Sequence, residues 1–310
     1  MIQDNLAPFA QIETLTRLNI ADMLDNFGLS GLRYGRRLIE RACWLPAQIL
    51  ARQAASFDRR VGEAGLQTAG REWLLPQVDR LDIVGNEFIP ASGGVILAVN
   101  HPGVTDTLVC FSSIARPDLH IVSIDRPFVR MLEHTAQRTL FVSDQPNERL
   151  TVVRQVSRFV QQGGAVLIFP AGHIEPDPAV MPGAIESLKT WSNSLGLFVR
   201  LAPQAVVIPA VVSGVVYGPA LRHPLTRLRR STKDRERVAA TIQVFWQTTG
   251  RIARHMRVRI EFGQPLPAAD LVPIGDAGQI TRAITASMEK LIERAAVASW
   301  QPDRAYQSAQ

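Results

Sequence analysis

The chain's 310 residues, 46% of them hydrophobic and 20% charged, suffice for a sizeable core and exclude disorder as its overall state. Its 34 Lys and Arg against 28 Asp and Glu give a formal charge of +6 and a pI near 10.0, which favours anionic lipid, phosphorylated substrates or nucleic acid as partners. Two cysteines, Cys43 and Cys110, are too few for a disulfide framework, and no Cys/His cluster has metal-ligand spacing.

Met1 to Asn5 lack the basic and apolar regions of a signal peptide. From there to about residue 80 the pattern is helical and differs in character from the remainder of the chain. Leu32 to Leu45 mixes arginines with Leu38, Ile39, Cys43 and Trp44, and Ile49 and Leu50 extend the apolar side. Such a helix either lies in a membrane interface, with Trp44 at the headgroup level, or packs on the main domain; Pro46 limits its run.

From Leu81 onward, apolar runs of strand length alternate with helical patterns, which predicts a layered α/β fold. The predicted strands are Leu81 to Val84, Val95 to Val99, His120 to Ile124, Thr139 to Val142, Ala165 to Phe169, Val206 to Val211 and Val258 to Phe262. After Asn147, the stripe Leu150, Val153, Val156, Phe159 and Val160 predicts a helix that Gly163-Gly164 ends. Gln204 to Leu221 is apolar but rich in Gly, Pro and β-branched residues, so it reads as two core strands, not a membrane span. The arginine-rich stretch Arg222 to Arg237 is a solvated loop and helix start or, alternatively, a contact with an anionic membrane. A last helix carries Ile280, Ile284, Met288, Leu291 and Ile292, and the tail from 301 to 310 reads as loose.

The chemistry concentrates in Asn100-His101-Pro102-Gly103-Val104-Thr105-Asp106, where a strand ends, Pro102 and Gly103 turn the chain, and a helix begins. A histidine placed there accepts a proton from a bound hydroxyl while the carboxylate holds its other nitrogen protonated. The bland alternative is a turn histidine plus a helix-capping aspartate. Spacing alone decides nothing, because His120 and Asp125 repeat it inside a predicted strand. Five strand residues span roughly 16 Å and odd offsets point to opposite faces, so that second pair is a decoy.

The order of Asn-His-Pro-Gly-x-x-Asp, then Phe169-Pro170-Ala171-Gly172-His173-Ile174-Glu175, then Val206 to Val212 with Pro209, resembles the PlsC-type glycerolipid acyltransferase family. Leu81 to Pro90 is similar to that family's lead-in, and the resemblance runs from about Leu81 to Leu266. It implies a mixed central sheet flanked by helices over residues 81–300, with residues 1–80 as an N-terminal helical extension able to lie in a membrane interface. It also implies His101 and Asp106 as the catalytic dyad, and Asn100, Gly103, Phe169, Pro170, Gly172, His173 and Glu175 as substrate-binding.

Two departures from the family pattern stand out. The Phe-Ile-Asp-Arg block is matched by Phe141-Val142-Ser143-Asp144, but Gln145 comes next, so the phosphate contact passes to Arg149 or Arg126. Lysine occurs only at Lys189, Lys233 and Lys290, so guanidinium, suited to bidentate phosphate contact, is in good supply. In Phe-Pro-Glu-Gly-Thr-Arg, Ala171 replaces the glutamate and His173-Ile174 the Thr-Arg pair, with Glu175 or His173 as substitutes. The Phe-Pro-Ala-Gly variant resembles the haemolysin-like and ornithine-lipid branches, which leaves the acceptor open.

The expected activity is transfer of a fatty acyl group from an acyl thioester, acyl-CoA or acyl-ACP, to a lysophospholipid or related lipid hydroxyl, with no further cofactor and no metal. Backbone amides near Gly103 or Gly172 are the expected oxyanion donors. Hydrolysis of a thioester or lipid ester at the same dyad is the alternative, and a non-catalytic lipid-binding protein of the same fold is another. No Gly-x-Ser-x-Gly elbow is present, and Cys110 reads as a small buried hydrophobe before a nucleophile. The basic stretches lack a base-stacking aromatic motif, which argues against nucleic acid. The expected location is cytoplasmic, peripheral on the cytoplasmic face of an anionic membrane.

Overall fold

Val95-Ile96-Leu97-Ala98-Val99 has no polar face to offer solvent, so it belongs inside a sheet covered on both sides. A computed structural model, which describes residues 6–32, 34–142, 149–229, 231–250 and 256–299, places it there as a fully buried strand. The strands are β1 (Arg80–Val84), β2 (Val95–Val99), β3 (His120–Ile124), β4 (Thr139–Val142), β5 (Ala165–Ile168), β6 (Val206–Ser213), β7 (Arg257–Phe262) and β8 (Leu266–Pro267). They form one sheet in the order β1-β7-β6-β2-β5-β3-β4, with β8 paired to β6. β2 through β6 run parallel, whereas β7 and β8 are antiparallel to β6 and β1 is parallel to β7, so the sheet is mixed. The seven expected strands are all found; β8 has two residues, too few for any periodicity to reveal.

The longer helices are α1 (Leu6–Asn26), α2 (Arg36–Leu74), α3 (Asp106–Ser113), α4 (Arg149–Gln161), α5 (Ser194–Leu201), α6 (Thr232–Thr248) and α7 (Ala277–Ser299). β2 splits its side chains with period two between two cores. Ile96 and Ala98 join Val156 and Val160 of α4, Phe198 of α5, and Ile280, Ile284 and Met288 of α7. Val95, Leu97 and Val99 join Val109 and Phe111 of α3 and Phe57, Leu66 and Leu74 of α2. The described members of the two stripes predicted for α4 and α7 therefore face the core, the Leu150 side chain lying outside the described residues.

The N-terminal helices depart from expectation in three ways. α2 runs straight through the buried Pro46, since one missing backbone donor is tolerated where packing holds the turn; its break comes instead at Gly65, with φ 80°. Trp44, which one of the two readings puts at lipid headgroups, packs inward with Cys43 and Ile39 against Ile20 and Leu24 of α1. The exposed apolar residues are its neighbours Leu38 (75% exposed) and Leu45 (64%), on the opposite side of the turn. The last turns of α2 also share the sheet's own core: at Gly70 an added Cβ would lie 2.9 Å from Phe111 Cβ, so only a glycine lets α2 come this close to α3.

A second strand within Gln204 to Leu221 does not form. Gly214, with φ 75°, turns the chain at a point where a Cβ would collide with the Arg257 carbonyl, and a short helix (Gly218–Leu221) comes after it. The arginine-rich stretch is a 3-10 helix (Pro224–Leu228) followed by α6, whose Ser231 cap accepts the Asp234 N–H at 3.1 Å. The tail from 301 to 310 lies outside the described residues. Among those described, no helix is long and apolar enough to cross a membrane.

Candidate active site

β2 lies inside the parallel run, with β5 on one side and β6 on the other, and its carboxyl end is where open α/β sheets leave a crevice. The strand ends on a side chain that imitates backbone. The Asn100 amide donates to the Val212 carbonyl at 3.0 Å and accepts the Val212 N–H at 2.7 Å, so the main chain departs without orphaning those groups of β6. Asn100, expected to touch substrate, is thus buried and engaged with the sheet.

Pro102 and Gly103 then reverse the chain, and α3 opens on Asp106. The Asp106 carboxylate folds back to the ring, with His101 Nδ1 to Asp106 Oδ2 at 2.7 Å; the same oxygen accepts the Gly103 N–H at 3.0 Å. Asp106 is fully buried, while the His101 side chain retains 27% of its exposure. An ionised Asp106 assigns the Nδ1 proton, which leaves Nε2 with its lone pair and no protein partner among the described residues. Phe169, at the end of β5, stacks on the imidazole with centroids 4.6 Å apart and planes 23° from parallel. Burial works against the imidazolium, but the charge and hydrogen bond of Asp106, with Glu175 behind, outweigh it and raise the ring above its ordinary value against the opposing Arg126.

The loop after β5 closes the other side. The Glu175 N–H donates to the His101 carbonyl at 2.7 Å, and Glu175 Oε2 accepts the His101 N–H at 2.9 Å. Glu175 Oε1 accepts from Ser187 Oγ and Trp191 Nε1, each at 2.9 Å. Desolvation pushes the Glu175 carboxyl up, and those three donors restrain the rise. Two residues on, the buried Asp177 accepts the N–H groups of Ala179, Gly214 and Val216, tying this loop to the turn after β6. Desolvation raises its carboxyl too, against the same donors.

Beside Pro102 and Gly103 lies a narrow cleft, partly open to solvent. Val104, Ile174, Met181 and Val216 line it, and Ala239, Ala240 and Val244 of α6 form its far wall, with Glu236 and Gln247 also bordering it. α6 is anchored there by polar bonds: Gln243 accepts the Tyr217 N–H at 2.8 Å and donates to the Val215 carbonyl at 2.7 Å, and Gln247 donates to Thr105 Oγ1 at 3.3 Å. Neither glutamine was legible as a site residue; a buried Gln beside the apolar Val238 and Ile242 was the available signal. Asp177 carried a turn signal only, in Pro176-Asp177-Pro178.

The remaining predicted residues divide. Gly103 and Gly172, expected as oxyanion donors, both have their amides engaged, Gly103 on Asp106 and Gly172 on the Phe169 carbonyl at 3.1 Å in a turn with φ 67°. Pro170 is buried, its carbonyl accepting the Ser192 N–H, and His173 turns back to donate Nδ1–H to the Ala171 carbonyl at 2.8 Å. Arg126 is exposed, makes no ion pair among the described residues, and lies within electrostatic reach of both His101 and Asp22 of α1. Arg149 opens α4, and its side chain is outside the described set, as are Ser143 to Glu148. Cys110 is buried in the core, where desolvation pushes its thiol well up, the opposite of a nucleophile.

Residues 80–213 match the family model described as Acyltransferase. This segment is similar to the acyltransferase family. Among solved structures, the chain is similar to the 1-acyl-sn-glycerophosphate (LPA) acyltransferase PlsC from Thermotoga maritima. The likeness covers 96% of this chain and 98% of that one at 13% identity, with a TM-score of 0.43. No curated protein matches the chain. The segment so matched contains the His101–Asp106 pair and the loop bearing Glu175, whereas α6, the far wall of the cleft, lies beyond it.

Proposed function

We propose that the protein is an O-acyltransferase that moves a fatty acyl group from an acyl thioester to a lysophospholipid or related lipid hydroxyl, with His101 as general base and Asp106 orienting it. The observation that carries this reading is the 2.7 Å contact between His101 Nδ1 and a buried carboxylate, made beside an apolar cleft and within a segment similar to the acyltransferase family. Nε2 takes the hydroxyl proton as the alcohol oxygen bonds to the thioester carbonyl carbon. Collapse of the tetrahedral intermediate breaks the carbon–sulfur bond, and the imidazolium returns its proton to the departing sulfur. A thiol of pKa about 8.5 leaves readily, so the acceptor is where base catalysis has most to contribute, roughly 10²- to 10⁴-fold.

Arg126 is the described guanidinium best placed to meet an anionic acceptor, because no ion pair among the described residues competes for it and its field reaches His101. Membrane contact is assigned to the arginine-studded start of α2, where Tyr34, Leu38 and Leu45 are exposed beside Arg36, Arg37 and Arg41. Labelled acyl-CoA and acyl-ACP incubated with a panel of lysolipids test the reading. Acylated lipid that disappears in His101→Ala is the expected result; free fatty acid alone would reassign the enzyme as a hydrolase. Acylation undiminished in His101→Ala would remove the base.

A further inference from the structure

We infer that Glu175 is a positioning residue for His101, a second carboxylate that locks the histidine's backbone and keeps negative charge behind its ring. This deepens the proposed function and rests on His101 being the general base. The contact is reciprocal: the Glu175 N–H holds the His101 carbonyl and the Glu175 carboxylate holds the His101 N–H, so the residue is fixed on both sides of its Cα. Rotation of the His101 backbone would break both bonds.

The donor count explains the need for a carboxylate. Backbone N–H, hydroxyl and indole N–H converge on Glu175, which offers no donor in return. A glutamine would turn its own NH₂ toward one of these donors, whereas a carboxylate meets the His101 and Trp191 N–H groups with acceptors alone; the Ser187 hydroxyl shares its one proton between Glu175 and the Ala184 carbonyl at 2.7 Å. A buried charge is costly unless compensated, and the compensation grows when Nε2 takes the substrate proton and the ring becomes cationic. Asp106 of α3 and Glu175 face that cation as acids; Arg126, after β3, opposes it, while Asp177 of the same loop and Glu236 of α6 border the region.

Histidine-ring NMR titration of the full chain tests this without any substrate, the His101 signal being assigned by its loss in His101→Ala. Glu175→Gln removes the charge and is expected to lower the His101 midpoint. Trp191→Phe, which deletes one donor to the carboxylate, should shift it by a smaller amount. Where acyl-CoA and lysophosphatidate are turned over, Glu175→Gln should lower kcat about 10- to 100-fold with KM for both substrates nearly unchanged, as displacement of a catalytic group does. An unmoved midpoint in folded Glu175→Gln overturns the inference, as does a loss that falls wholly in KM. If Glu175→Gln fails to fold, an unmoved midpoint in Trp191→Phe overturns it instead. Full activity in His101→Ala would sink the general base while leaving the midpoint result standing, so the two failures are distinguishable.

Discussion

His101 and Asp106 are separated in sequence as His120 and Asp125 are, yet only the first pair meets. In the first, the strand ends at Val99, Pro102 and Gly103 reverse the chain, and α3 returns the carboxylate to 2.7 Å from the ring. In the second, β3 continues as far as Ile124; His120 turns to the Asp118 carbonyl and packs at a tilt against Phe159, while Asp125 pairs with Arg130 at 2.8 Å. A spacing becomes a site only when the backbone between its ends folds. The burial differs as well, since Asp106 is fully enclosed and Asp125 is half exposed, which lets solvent screen the Asp125–Arg130 pair and makes it worth little.

The largest effect that sharpens this contrast is loss of the ring at the folded turn. His101→Ala should lower kcat about 10²- to 10⁴-fold in a thiol-release assay with acyl-CoA and lysophosphatidate, with melting temperature little changed. Asp106→Asn keeps the side chain's shape but removes the charge that fixes the Nδ1 proton. Its kcat should fall by about 10²-fold or more, since the analogous change in hydrolase triads costs about 10⁴. Arg126→Ala should raise KM for an anionic acceptor by about tenfold, the loss of roughly 1.4 kcal/mol, and leave KM for a neutral acceptor alone. Smallest of all, His120→Ala and Asp125→Asn should leave kcat within about twofold of wild type, the exposed Asp125→Asn shifting stability by only about 0.5 kcal/mol.

The pH profile separates the pairs again. Only the neutral imidazole accepts a proton, and Asp106 holds His101 above its ordinary value of about 6.5 against burial. The acid limb of kcat/KM should therefore lie above that value in wild type and move to lower pH when the Asp106 charge is removed. Asp125→Asn should leave the limb where it is.

The sheet was legible because buried parallel strands announce themselves as apolar runs, and the turn was legible because Pro102 and Gly103 punctuate it. The wall of the cleft was not, since α6 reaches the site from beyond residue 231 through Gln243 and Gln247, contacts that no local pattern encodes. Glu175 was legible as a site residue but not its direction. Its side chain turns toward Trp191 and the His101 backbone because the loop crosses the β2 turn, a tertiary fact. The expected second strand after β6 failed for a similar reason: Asp177 takes the Gly214 and Val216 N–H groups that a neighbouring strand would otherwise have received. Of the two readings of the Trp44 helix, packing prevails for that face, since α1 covers the side that a bare helix would have offered to lipid.

The most direct measurement compares His101→Ala and His120→Ala in parallel preparations, by acyl-lipid formation from labelled acyl-CoA and lysophosphatidate. The predicted result is near-complete loss in the first and near-normal turnover in the second. Equal rates in the two would contradict the assignment of His101 as the base.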